Sequence, residues 1–496
     1  MKTIVLGPPG TGKTETLLNE VDKYLKTTDP NRIGYFSFTQ KAAYEARDRA
    51  MDKFNLTEDD LPYFRTLHSL AFSRLGIKKE NVMQRKHYAD VGKQTGIRVD
   101  YNEWDDDQTG LFTTNSDYLR IIQLARLKGI TVEQQYNLKE HSQEVSVDTL
   151  KNLSSELESY KKAHGLTDFN DMISEFIKSD ASPKFDVVFI DEAQDLSRLQ
   201  WNMAKSIWDK TEDNYIAGDD DQAIFRWAGA DVDSFIAQTG KILNLTESYR
   251  VPGVVHDLAM GIVKRISKRL HKEWSPRSKS GLLSYYHEFQ DVDMSSGKWF
   301  VLARTRHMLN ELENVLYSKG LYYQNKFKKG YEKDLYEAVI DWEKWRKNND
   351  LNHEQIKRVA SYMSPNHYQK ENLQYLDKEK SYTMTEAYNN QGLKTKTVWY
   401  EAFDSAPQNQ VQYIRKMRAN GEELNKPPRI LLSTIHGVKG GECSNVVLLT
   451  DLSRNTQKSM DRFPDDENRL FYVGATRTKD HLHIIRPKDI YKSFRI

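Results

Sequence analysis

Residues Gly7-Pro8-Pro9-Gly10-Thr11-Gly12-Lys13-Thr14 fill every position of the pattern G-x-x-x-x-G-K-[ST]. Such a loop turns backbone N–H groups inward around phosphate oxygens, offers its lysine to the β and γ groups, and presents a hydroxyl that can ligate magnesium. Lys13 is therefore expected on a triphosphate and Thr14 on Mg2+. A chance glycine-rich turn is the competing account, but the loop follows a short apolar run and precedes a helical pattern, the context the motif requires. A second chemical pair, Asp191-Glu192, follows Val187-Val188-Phe189-Ile190. Both carboxylates thus emerge at the carboxyl end of a buried strand, where doubly wound sheets place their ligands. There Asp191 would hold the metal ion, usually through water, and Glu192 would orient and deprotonate an attacking water. An acidic pair alone is usually a solvated surface, and only the strand and the phosphate loop reverse that.

These groups meet only if their strands end together. Apolar runs recur at 3–6, 33–38, 185–190, 215–217 and 242–245, with helical patterns such as 41–51 between them, which predicts a parallel sheet covered by helices. Between 75 and 180 the strand signal disappears, and 118–128 and 148–164 have helical periodicity. A second strand-rich set, 299–303, 429–433, 445–450 and 481–485, is interrupted by a long segment containing a helix over Glu332–Lys347 and the polar stretch 362–382. The expected division is α/β: a first core at 1–74 and 181–250, a helical insertion at 75–180, a second core at 251–325 and 429–496, and a short insertion at 326–428. Lys426-Pro427-Pro428 is the clearest linker punctuation.

A chain of 496 residues exceeds the size of one hydrophobic core, so several domains are expected. The net charge of +2 argues against a surface that grips phosphates everywhere, and a nucleic-acid partner would need a local groove. The single cysteine, Cys443, excludes an intrachain disulfide and a cysteine-only zinc site and fits a reducing compartment. No apolar run has membrane-spanning length, so the expectation is cytoplasmic, with no membrane partner.

Asp191-Glu192-Ala193-Gln194-Asp195 resembles the DEAQD box of superfamily 1 helicases of the UvrD/Rep type. Other stretches agree in order. Ser37-Phe38-Thr39-Gln40-Lys41-Ala42-Ala43 looks like TFTNKAA, Thr66-Leu67-His68-Ser69-Leu70-Ala71 like T-x-H-x-x-A, and residues Gly218 to Ala230 like GDDDQSIYxWRGA. Ser248-Tyr249-Arg250 resembles NYR, residues Thr434 to Glu442 resemble T-x-H-x-x-KG-x-E, and residues Glu467 to Arg477 resemble E-x-R-R-L-x-YVA-x-TR. Ordered boxes from residue 7 to 477 are far more specific than any one of them.

The resemblance implies two RecA-like P-loop NTPase cores, each with an inserted, mainly helical subdomain and with ATP in the cleft between them. It implies an ATP-dependent DNA helicase that moves 3′ to 5′ on single-stranded DNA, using ATP and Mg2+. Its partners would be single strands and single-strand/duplex junctions, together with replication or repair proteins, and it would act as a monomer. Carried over by position, Gln222 senses the γ-phosphate, Arg250 and Arg477 reach it from across the cleft, Glu442 contacts the ribose and Tyr249 stacks on adenine. Phe38 and Trp227 fall at base-stacking positions; Thr39, Thr66, His68, Thr434 and His436 fall at phosphate contacts. For Phe64 and Phe225 core packing is at least as good an account. Two departures stand out: only six residues precede Gly7, where the family carries an adenine-reading glutamine, and Glu15 stands where the family commonly has a base-sandwiching arginine. Both leave the preference for ATP open, and the short second insertion suggests a compact, phage-like member. A strand-stimulated translocase that strips proteins without processive unwinding would carry the same boxes.

Overall fold

Near-continuous burial marks most of the first set of strands, the pattern expected of a parallel sheet covered on both faces, while the edge strand Lys241–Asn244 is exposed at every position. In the computed structural model, which describes residues 1–99, 114, 116–141, 144–328 and 333–496, these strands are β1 (Lys2–Leu6), β2 (Ile33–Ser37), β3 (Phe64–Thr66), β4 (Val187–Asp191), β5 (Asp213–Gly218) and β6 (Lys241–Asn244). They form one sheet in the order β3-β2-β4-β5-β1-β6, and every pairing is parallel. β2 and β4 are buried at every position. Rings paired across neighbouring strands stiffen the sheet: Tyr35 stacks on Phe64 at 5.0 Å and Phe189 on Tyr215 at 4.9 Å. Phe64 is thereby a core residue, 2% exposed. Strand β3 was not foreseen, because three residues are too few for periodicity to register.

Between β3 and β4 the chain is helical: Leu67–Arg74, Arg85–Thr95, Asp117–Lys128, Val132–Asn137, Val147–His164 and Phe169–Lys178. Ser116, Thr131, Ser146 and Asp168 cap four of these by accepting backbone N–H groups. Val91, Leu119, Ile122, Leu150, Leu153 and Leu157 pack into a core of their own, separate from that of the sheet.

The second sheet comprises β7 (Leu282–Tyr286), β8 (Trp299–Ala303), β9 (Tyr323–Asn325), β12 (Ile430–Thr434), β13 (Cys443–Leu449) and β14 (Thr478–Ile485). Its order is β7-β14-β13-β8-β12-β9, again wholly parallel. A small antiparallel pair, β10 (Leu351–Asn352) with β11 (Ser381–Tyr382), lies within the segment that joins β9 to β12. That segment's helices include Lys333–Arg346, His353–Ser361 and Gln408–Ala419. Its Trp342, Trp345 and Phe403 belong to the same buried cluster as Val301, Leu432 and Val447 of the sheet. The second insertion therefore shares one buried cluster with its sheet. Glu332, expected to open this helix, lies outside the described residues.

The chain divides into two compact units, 1–280 with 459–476, and 281–458 with 477–496. Residues 251–280 and the helix Pro464–Ala475, placed in the second core by the sequence reading, group with the first sheet. The two helices, Gly253–Val263 and Pro464–Ala475, pack on each other, with Val255, Ala259, Ile262, Val263, Leu470, Phe471 and Val473 buried, and Arg469 bonds the Asp220 carbonyl of the first unit. Among the described residues no helix is long and apolar enough to cross a membrane.

Candidate nucleotide and nucleic-acid site

Because the first sheet is all parallel, the carboxyl ends of its strands open on one edge, and the residues singled out above follow those ends directly. Gly7 follows β1, Phe38 follows β2, Thr66 closes β3, Asp191 closes β4 and Asp219 follows β5. The phosphate loop is tied to its neighbour by Gly7 N donating to the Gly218 carbonyl at 3.2 Å. Thr11 Oγ1 donates to Pro8 O at 2.8 Å, and Lys13 Nζ spans the loop to Gly7 O at 2.8 Å. The helix Lys13–Leu25 starts with no side-chain cap, so its first N–H groups and its dipole face the loop.

Thr14 Oγ1 donates to Asp191 Oδ2 at 2.7 Å, joining the β1 and β4 ends. Tyr35 OH donates to the same oxygen at 3.0 Å; burial and then Asp191 hold that phenol neutral, well above its usual range. Asp191 is itself raised, first by burial and then by Glu192. A hydroxyl and a buried carboxylate lacking full compensation are hard oxygen donors of the kind magnesium takes, so the residues present fit that ion.

Glu192 adopts a left-handed backbone, φ 53°, which strains a residue with a Cβ by roughly 1–2 kcal/mol. Gln194 holds its carboxylate, with Nε2 to Glu192 Oε2 at 2.6 Å, and accepts from Asp219 N through Oε1 at 3.0 Å. One amide thus spaces the β4 and β5 ends. Gly218 permits the approach, because a Cβ there would meet Gln194 Oε1 at 2.5 Å.

Gln222 closes a tight turn, Asp220–Gln222, and its Nε2 donates to Asp219 Oδ2 at 2.7 Å. Ser248-Tyr249-Arg250 abuts the phosphate loop: Ser248 Oγ donates to Pro9 O at 2.7 Å and Tyr249 N to Gly10 O at 2.9 Å. Gly10 has φ +72°, and a Cβ there would lie 2.4 Å from Arg250 Cβ. Arg250 therefore stands beside the loop within its own unit, whereas the family expectation brought it from across a cleft. Tyr249 is 71% exposed and so takes no part in the core.

Three residues after Gln222 an aromatic group begins. Phe225 lies 5.7 Å from Phe38 and 6.5 Å from Trp227, ring to ring. Phe38 is 8% exposed and Trp227 48%, so Trp227 presents the open face while Phe38 lies buried on the other side of the contact with Phe225. Thr39 and Thr66 are N-caps, accepting from Ala42 N at 3.1 Å and Ser69 N at 3.2 Å. Accepting through a lone pair leaves each hydroxyl proton available to an anion at a helix N-terminus. His68 packs edge-on against Phe169 at 5.7 Å, and burial pushes it down to about 4, so it is a neutral imidazole at ordinary pH.

Thr434, His436, Glu442 and Arg477 lie in the second unit. Thr434 closes β12 and repeats the cap of the first unit, accepting from Gly437 N at 3.2 Å, with His436 opening the turn that follows. Glu442 pairs with Lys479 at 2.9 Å, and the buried Arg477 donates to Gly441 O at 3.2 Å. Periodicity and motif matching missed Lys272 and Arg269 and gave no role to Arg469 within its box, and these three surround the Asp219–Gln222 turn. Three successive aspartates in an otherwise buried stretch were the available signal.

Comparison with known proteins identifies the family. A family model described as the UvrD/REP helicase N-terminal domain matches residues 1–242, and one for the UvrD-like helicase C-terminal domain matches residues 429–485. The ATP-dependent DNA helicase PcrA of Bacillus subtilis is 24% identical over 379 residues, 64% of this chain and 48% of that protein. A probable DNA helicase II homolog of Mycoplasma capricolum is 23% identical over 370 residues, 68% and 49% respectively. The helicase Rep of Buchnera aphidicola (strain APS) is 24% identical over 300 residues, 56% and 45% respectively. The chain spans about half the length of the curated relatives it matches. Since the two models between them match more than half of the residues and include strands of both parallel sheets, the chain belongs to the UvrD/Rep helicase family.

Proposed function

We propose that the chain is an ATP-dependent DNA helicase that translocates 3′ to 5′ on single-stranded DNA and opens duplexes. The observation that carries this reading is one strand-end edge with two kinds of equipment. A phosphate loop is bonded to Asp191 through Thr14 at 2.7 Å, and the half-exposed Trp227 stands five residues beyond Gln222. The names of the relatives favour DNA as the substrate.

In this reading the loop amides and Lys13 bind the triphosphate, and Tyr249 takes the base. Glu192 orients a water and accepts its proton as that oxygen attacks the γ-phosphorus; the bond from phosphorus to the bridging oxygen breaks and ADP leaves. Arg250, and Arg477 by the family's assignment, neutralise charge on the transferring oxygens, an effect worth about 10³–10⁵ in rate in related chemistry. Glu442 takes the ribose role. Thr14 and Asp191 would hold Mg2+, which when bound screens the charge of the β and γ oxygens. Trp227 stacks on a base of any sequence, as a translocating motor requires. Thr39, Thr66 and Thr434 donate hydroxyl protons to backbone phosphates, and His68 and His436 lie beside them.

Duplexes bearing a single 3′ or 5′ tail, incubated with ATP and Mg2+, test this. Displacement is expected from the 3′-tailed duplex alone, and none with Glu192→Gln, which keeps triphosphate binding. Displacement from the 5′ tail would reverse the polarity, and tail-stimulated hydrolysis without displacement would leave a translocase. No hydrolysis with any oligonucleotide would overturn the reading.

A further inference from the structure

Asp219, Asp220 and Asp221 are each no more than 1% exposed, and three adjacent buried carboxylates are tenable only with cations among them. Those cations come from residues 269–272. Lys272, itself 4% exposed, lies 3.1 Å from Asp219 Oδ1 and 3.0 Å from Asp221 Oδ2, and also bonds Asp220. Arg269 forks onto Asp221 at 2.8 and 2.7 Å. Asp220 is further held by Leu270 N on its carboxylate at 2.8 Å and by Arg469 Nε on its carbonyl at 2.9 Å.

Two cations against three carboxylates leave an imbalance, and the three acids do not share it equally. Burial pushes Asp219 up, but Lys272 and then Lys13 outweigh it, so Asp219 stays below the usual carboxylate range. Asp220 is raised, by burial despite Lys272 and by its two neighbours. The acid kept ionised is the one that accepts the Gln222 amide at 2.7 Å.

We propose that Lys272 is a positioning residue for triphosphate hydrolysis, fixing Asp219 as the acceptor that orients the Gln222 carboxamide. The inference rests on the nucleotide reading above. Asp219 feels both Lys272 and Lys13. Removal of Lys272 takes from Asp219 the ammonium that lies 3.1 Å from its carboxylate. The Gln222 amide then loses a fixed partner at the moment when its placement sets the rate.

The experiment measures kcat and KM for oligonucleotide-stimulated ATP hydrolysis, with melting temperatures, in four variants. Lys272→Gln is expected to lower kcat by about 10- to 100-fold, the scale of an ångström misplacement, with KM little changed. Because this variant leaves buried carboxylates unpaired, Asp220→Asn with Lys272→Gln removes one charge of each sign; it should regain the melting temperature but not kcat. In a Gln222→Ala background, Lys272→Gln should lower kcat no further. Recovery of kcat along with the melting temperature, or losses that add in the Gln222→Ala background, would overturn the proposal while leaving the nucleotide reading intact. A wild-type chain without turnover would overturn both.

Discussion

At the scale of single residues, burial separates side chains that the family boxes treat alike. Phe38 and Trp227 were both expected on bases, yet Phe38 is 8% exposed against Phe225 and Trp227 is 48% exposed. Their losses should therefore differ in kind. Trp227→Ala should cost ~1–3 kcal/mol of single-strand binding and depress strand-stimulated hydrolysis far more than basal hydrolysis. Phe38→Ala should instead lower the melting temperature, at a cost of about 3–5 kcal/mol for a buried ring. Fluorescence titration with an oligonucleotide and thermal melts check the pair; equal loss of basal and stimulated turnover in Trp227→Ala would break the link from Gln222 to the base platform. Tyr249, 71% exposed beside the phosphate loop, shows the same contrast with the buried Tyr35.

At the scale of elements, two histidines make stability depend on acidity. His68, in the first turn of the helix Leu67–Arg74, and His483, on β14 among Trp299, Tyr286 and His481, are both pushed down to about 4, chiefly by burial. An unfolded histidine takes its proton near 6.5, so between about 4 and 6.5 the unfolded chain binds more protons and stability must rise with pH. The contribution is whole above 6.5 and drains away as pH falls toward 4. Melts at pH 7.5 and 5.0 should show the drop, and His68→Gln with His483→Gln should flatten it; an unchanged slope in the double variant would assign the acid sensitivity elsewhere. The strand ends tell the same story of local chemistry in a tertiary setting. Thr66 and Thr434 each close a strand and Thr39 lies two residues beyond β2, and each accepts the backbone N–H three residues on, which aims N–H groups and hydroxyls at one edge of each sheet.

At the scale of the whole molecule, the two insertions distribute their buried residues differently. The first has its own core around Leu119, Leu150 and Leu153, whereas Trp342 and Trp345 of the second share a cluster with Val301, Leu432 and Val447. Amide hydrogen exchange should register this difference. Trp342→Ala is expected to weaken protection across β8, β12 and β13 together, while Leu153→Ala should loosen the helices between β3 and β4 and leave β1 and β4 protected. Protection of β8 untouched by Trp342→Ala would show that the shared cluster does not act cooperatively.

Local patterns already specified the phosphate loop, the Asp191-Glu192 strand end, the long helices and most strands of both sheets. A strand buried on both faces and a glycine-rich turn leave their signatures within a few neighbouring residues. The short strands β3 and β9 left none, and neither did the clamp of Lys272, Arg269 and Arg469 on the Asp219–Gln222 turn, whose partners are 48 to 249 positions apart. Which aromatic faces solvent, where Arg250 stands, and which insertion merges with its sheet were likewise settled only on folding. Burial and charge compensation belong to the neighbours that a tertiary structure supplies, and no spacing along the chain encodes them.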